Sequence, residues 1–319
     1  MVSALVEHLP ALAPDWHFKF LRQSSLSQPL SNAPNVTEIS MNAPANGPTT
    51  MWRLSSAVNL DGVELFHAPA NILPRGLSMP CVTTIHDLMW LTEPHMCNPG
   101  FWGQIERRFY SQGIKHALER SDAIMTVSDA TRNDVIGRNP ELADKTFTAL
   151  SGVSDHFSPG PVDLEFLNPL GLLPQQYVLT IGQNAPYKNH ENAIHGFALA
   201  FAKNSKIDLV ILQRRGPGTG QLRRLSKSLG IEAKVHFLPP VDDRNLPQLY
   251  RDALALLHPS FKEGFGMPLA EAMACGCPVI TSNCSAMPEV AGDAALLIDP
   301  RSPETISAAL KRLVADPEH

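Results

Sequence analysis

Residues Tyr177–Asn189 read YVLTIGQNAPYKN. A short apolar run ends at Gly182 and gives way to a polar loop that carries Pro186. The following stretch, Glu191–Lys203, sets Ile194, Phe197, Ala198 and Phe201 on one helical face. A buried strand passing through a glycine loop into an amphipathic helix is the first half of a βαβ unit, and such units build parallel sheets covered by helices. Downstream the rhythm repeats in DLVILQ, KVHFL, ALALLH, PVITSN and AALLIDP. A doubly wound parallel sheet over residues 175–319 follows.

Upstream, strands are expected near Trp16–Leu21, Val63–Phe66, Cys81–Ile85, Ala123–Val127 and Thr146–Leu150, with a helix over Phe101–Arg120. These make a first domain over residues 1–160. The intervening SPGPVDLEFLNPLGLLPQQ is rich in Pro and Gly and lacks periodicity, so a linker is expected at 161–174. At 319 residues the chain exceeds one ordinary core, which agrees with two domains. The expected fold class is α/β: two Rossmann-like doubly wound domains facing across a cleft.

Composition narrows the function. With 44% hydrophobic and 18% charged residues the chain is a folded globular protein, and a net charge of −5 argues against nucleic acid as a partner. Five cysteines, an odd number in a long chain, fit a reducing cytoplasm better than a disulfide framework. The opening MVSALVEHLPALAP carries Glu7 and His8 and has no basic leader, so any membrane contact is expected to be peripheral.

Open α/β sheets bind ligands beyond the carboxyl ends of their strands. Three groups of capable side chains stand there: His86 and Asp87 after CVTTI, Lys188 after YVLTIG, and FKEGFGMPLAEAM (residues 261–273) after ALALLHPS. In the last, Pro268 suits a first helical position and Gly276 a helix end, which makes Met267 the expected N-cap. A methionine accepts no hydrogen bond, so the amides of Leu269 and Ala270 are left for an anion, favoured there by the helix dipole. Gly264 and Gly266 let a ligand approach the main chain closely. Glu263 and Glu271 would repel phosphate but accept well from sugar hydroxyls. A nucleotide sugar, with phosphates between two sugars, meets both demands.

EGFGMPLAEAMACGCPVITSN, with seven residues between Glu263 and Glu271, resembles the donor-binding motif of the retaining family 4 glycosyltransferases of the GT-B architecture. YVLTIGQNAPYKN, LPQLYRDALALLHPS and MPEVAGDAALLIDP resemble that family in order and spacing, as do TTIHDL and VSDATRNDV, so the similarity runs over most of residues 60–315. The resemblance implies transfer of a hexose, mannose or glucose, from a GDP- or UDP-linked donor to a glycan or lipid-linked acceptor. It assigns Glu271 to the ribose hydroxyls and Glu263 to the transferred sugar. The amides of Gly264, Phe265 and Gly266 would meet the sugar, and those of Met267, Leu269 and Ala270 the phosphates. Lys188 would neutralise the departing diphosphate, His86 would stand near the sugar and acceptor, and Arg214 is a further candidate for the phosphates. No cofactor is implied, and the lack of an Asp-x-Asp motif fits metal-independent chemistry.

The chain departs from the family in carrying Gln183 where many relatives have arginine, and Tyr187 where some do. Relative to the family it lacks the usual first strand with its glycine-rich loop and the final helices that cross back to the first domain. Alternatives to a transferase are a nucleotide-sugar-binding module without turnover and another GT-B enzyme such as an epimerase. Asp87 is expected to cap the turn after its strand. Cys275, Cys277 and Cys284 are expected to be small buried residues rather than metal ligands.

Overall fold

The computed structural model describes residues 2–98, 100–203, 205–213 and 217–315. The chain divides into two compact units, one formed by Met1–Thr92, Ile105–Val127 and Thr131–Gly152, the other by Glu93–Gln104, Ser128–Ala130 and Val153–His319.

In the first unit, β1 (Phe18–Gln23) and β2 (Val36–Met41) pair in parallel as a separate ribbon. The strands β3 (Phe66–Ala68), β4 (Cys81–Ile85), β5 (Ala123–Thr126) and β6 (Thr146–Thr148) form a parallel sheet in that order. Ile85 and Ile124 on the strands pack with Ile114 of the Phe101–Arg120 helix and with Val135 into a buried core. β2 lies outside the strands expected from sequence. Its Glu38 pairs with Arg22 of β1 at 2.8 Å, so a charged residue occupies a position where alternation calls for an apolar one.

The second unit contains all six expected strands: β7 (Tyr177–Ile181), β8 (Asp208–Leu212), β9 (Val235–Leu238), β10 (Ala255–His258), β11 (Val279–Ser282) and β12 (Ala295–Ile298). They run parallel in the order β12-β11-β10-β7-β8-β9. Both faces are apolar, with side chains alternating along each strand. Val178, Ile211 and Leu257 face one cluster, with Phe197 of the His190–Phe201 helix and Ile306 of the Pro303–Ala315 helix. Tyr177, Leu179, Val210 and Leu256 face the other, with Leu269 of the Met267–Ala274 helix.

Residues 161–174, read as a linker, are folded onto this unit. Asp163 Oδ1 accepts from the Phe166 amide at 2.9 Å and caps a short helix, Leu164–Leu167, while Leu167 and Leu172 are buried in the second cluster. Among the described residues, no helix is long and apolar enough to cross a membrane.

β7 and β10 lie side by side at the centre, and the chain leaves β7 towards β8 and β9 but leaves β10 towards β11 and β12. Such a reversal of strand order opens a crevice at the strands' carboxyl ends. Lys188 follows β7, and Glu263 follows β10.

Candidate active site

The loops after β7 and β10 are tied to each other by main-chain contacts. The Phe261 amide donates to the Tyr187 carbonyl at 2.8 Å. Asn189 is in the left-handed region, tolerated by asparagine, and its buried Nδ2 donates to Pro259 O at 2.9 Å and Pro300 O at 2.7 Å. Three strand-end loops are thus joined through one amide. Gly182 sets the path of Lys188, since a Cβ there would fall 2.9 Å from Lys188 Cδ, and its φ of +153° disfavours any side chain. Gly182→Ala is expected to destabilise the fold by about 1–3 kcal/mol, read by urea denaturation.

Lys188 Nζ donates to Glu263 Oε1 at 2.7 Å, with both side chains 11% exposed. His258, the last residue of β10 and 2% exposed, places Nε2 3.0 Å from the same oxygen and 3.1 Å from Ser260 Oγ. Burial opposes the charge on Glu263, but the Lys188 ammonium and the His258 hydrogen bond outweigh it and hold the carboxyl well below its ordinary range. An ionised carboxylate has no proton to give, so His258 Nε2 carries the hydrogen and donates. Burial also lowers the histidine's own pKa, which favours a neutral ring. The backbone of Glu263 is clamped by Ser285, whose Oγ donates to its carbonyl at 2.7 Å and accepts from its amide at 3.1 Å. Among the described residues, Glu263 Oε2 has no hydrogen-bond partner.

The helix that follows runs Met267–Ala274, and Gly266 rather than Met267 is its N-cap, at φ +98° and ψ +53°. The left-handed turn that glycine permits starts the helix one residue earlier, with Pro268 still inside the first turn. No side chain caps it, as expected. The Leu269 amide, however, donates to the Gly266 carbonyl at 2.9 Å, which corrects the expectation that it stands free. The turn closes on itself with an i to i+3 bond.

Glu271 is held by Tyr250, whose hydroxyl donates to Oε2 at 2.8 Å; among the described residues Oε1 has no hydrogen-bond partner. Each glutamate is therefore anchored through one oxygen and keeps the other as an acceptor. Burial raises the Glu271 pKa, against the lowering effect of the Tyr250 bond. Removing that donor raises it further. In Tyr250→Phe the Glu271 carboxyl should therefore take up its proton at higher pH than in the unmodified protein, as followed by NMR across a pH series.

His86 lies in the first unit, just beyond β4, with its amide donating to Asn71 Oδ1 at 2.6 Å and its Nε2 2.8 Å from Pro69 O. Asp87 Oδ1 accepts from the Met89 amide at 2.9 Å and caps the next turn, as expected. Gln183 Nε2 donates to Tyr187 Oη at 3.0 Å. The Lys188 ammonium also lies 5.2 Å from the Tyr187 ring centre. Cys275 and Cys277 are packed in the second apolar cluster. Arg214 lies outside the described residues. His258, Tyr250, Asn189 and Ser285 were not singled out from sequence. A histidine closing the apolar run ALALLH was the one available signal, because a polar side chain there must find a buried partner.

Residues 168–319 match the family model described as glycosyl transferases group 1. The O-antigen chain mannosyltransferase B of Escherichia coli is 33% identical over 255 residues, covering 79% of this chain and 65% of that protein. Among solved structures, WaaG, a glycosyltransferase involved in lipopolysaccharide biosynthesis, matches with a TM-score of 0.73 over 98% of this chain and 86% of that one, at 19% identity. HepE of Anabaena, solved in complex with UDP-glucose, matches with a TM-score of 0.62 over 75% of this chain and 64% of that one, at 20% identity. At such identities these structures speak for the fold, which is of the GT-B class. The chain spans less than two thirds of the length of the curated relatives it matches.

Proposed function

Because the chain carries a glycosyl transferases group 1 domain over residues 168–319, we propose that it is a retaining hexosyltransferase using a nucleoside diphosphate sugar. The observation that carries this reading is the pairing of Lys188 with Glu263 at the β7/β10 reversal, beside a helix start that no side chain caps. The cation and the helix dipole favour a diphosphate, and the free oxygens of Glu263 and Glu271 favour hydroxyls. Mannose is the preferred hexose, on the strength of the Escherichia coli relative's name. The acceptor class proposed is a hydroxyl of a glycan or lipid-linked saccharide, at the cytoplasmic side.

In the reaction the bond between the anomeric carbon and the diphosphate oxygen breaks, and the acceptor oxygen bonds that carbon on the same face. The acceptor's proton passes to the departing diphosphate. Lys188 stabilises the charge growing on the leaving group, where a preorganised cation is worth most. Glu263 Oε2 holds a sugar hydroxyl and offsets positive charge on the ring. Glu271 Oε1 accepts from the ribose, and the amides of Gly264 to Met267 and of Ala270 line the sugar and phosphates. His86 is assigned to the acceptor side, and Arg214 remains a candidate for the phosphates.

Incubation with GDP-mannose and with UDP-glucose, together with a mannose-terminated oligosaccharide, tests the proposal. Nucleoside diphosphate release accompanied by an α-linked product, read by NMR, is the expected result. Failure of the unmodified chain to turn over or bind either donor would end the reading.

A further inference from the structure

Glu263 Oε1 receives two donors of different kinds. Lys188 approaches on a flexible stem from the loop after β7, whereas His258 is fixed in β10, its carbonyl accepting from Thr281 Oγ1 of β11 at 3.0 Å. If Lys188 serves a diphosphate, as the donor reading requires, its ammonium is shared between the phosphate and Glu263, which loosens its hold on the carboxylate it now meets at 2.7 Å. A carboxylate held by that lysine alone would then be free to rotate. The His258 contact, at 3.0 Å within a ring 2% exposed, does not depend on Lys188.

We propose that His258 is the positioning residue for Glu263: its Nε2–H keeps Oε1 in place while Lys188 turns to the donor, so that Oε2 stays directed at the transferred sugar. The proposal deepens the donor reading and rests on it for the identity of that sugar. It explains why a buried histidine occupies a strand end whose neighbours Leu256 and Leu257 are wholly apolar. It also separates two tasks in the ion pair, since the lysine is the exchangeable partner and the histidine the permanent one. Ser285 fixes the main chain of Glu263 but not the carboxylate, so the side-chain torsions are left to His258.

Two arms test this. In the first, crystal structures of Lys188→Met and of Lys188→Met combined with His258→Leu are compared. The Glu263 carboxylate should keep its place in the single variant and leave it in the double one. Movement in the single variant, or no movement in the double, would overturn the proposal, and neither result depends on any donor.

In the second arm, His258→Leu and His258→Gln are assayed with GDP-mannose, alongside GDP binding. Glutamine places its Nε2 about as far from Cβ as the histidine's and can donate to the same oxygen. His258→Leu should lose about 100-fold in kcat, the scale of a misplaced reacting group, with the Kd for GDP changed less than about two-fold. His258→Gln should recover most of the loss. Equal losses in both variants, or a loss confined to GDP affinity, would count against positioning. If the unmodified chain binds neither GDP nor UDP, the donor reading fails by itself, and the crystallographic arm still decides the role of His258.

Discussion

Lys188→Met should lower the kcat of sugar transfer by about 10²–10³-fold, the usual cost of removing one preorganised donor from a developing charge. The same change should weaken GDP binding, because the cation proposed to meet the diphosphate is gone. It also leaves Glu263 as a nearly buried charge whose remaining side-chain partner, among the described residues, is His258. Breaking such a pair costs up to about 3–5 kcal/mol, and the remaining histidine bond keeps the loss at the lower end. The sign of the pH effect follows. A carboxyl held below its ordinary pKa adds stability that is present above its unfolded value of 4.5 and is lost as pH falls through the folded one. Removing Lys188 raises the folded value, so the variant should begin to unfold at higher pH on acidification. Initial-rate kinetics, calorimetry and acid titration followed by circular dichroism check the three parts.

Glu263→Gln should give the complementary pattern. The amide keeps the shape of the carboxylate but not its charge, so kcat is expected to fall by about 10²–10³-fold through loss of electrostatic support at the sugar. Lys188, released from its partner, becomes fully available to phosphate, and GDP affinity should be equal or tighter. A weaker Kd in Glu263→Gln would mean that the glutamate, rather than the lysine, touches the diphosphate. Measured together, the two variants assign turnover and nucleotide affinity to different side chains within one ion pair.

What could be read from sequence depended on how each residue is buried. The inner strands β7, β8, β10 and β11 are covered on both faces, so each stands out as a mainly apolar run. β2 escaped because Glu38, opposite Phe20 and ion-paired diagonally with Arg22, breaks its alternation. Residues 161–174 looked like a linker because Pro and Gly interrupt every period, yet Leu167 and Leu172 anchor them to the core. Glu263, Glu271 and Lys188 drew attention through the motifs EGFGMPLAEAM and YVLTIGQNAPYKN, since a charged side chain at a strand end is by itself ordinary. Lys188 and Glu263 were expected in one site, and they meet at 2.7 Å. The partners that aim the glutamates were not legible. His258 is part of a strand, and Tyr250 part of the Leu246–Arg251 helix, so each passes for core until its hydrogen bond is seen.

Lys188 and the start of the Met267–Ala274 helix are proposed to receive a sugar-linked diphosphate. Calorimetric comparison of GDP with GMP, and of UDP with UMP, on the unmodified protein and on Lys188→Met tests it most directly. Tighter binding of the diphosphate is expected in at least one pair, with the preference largely abolished by the substitution. Equal affinity for mono- and diphosphate in the unmodified protein, or a preference untouched by loss of Lys188, would contradict it.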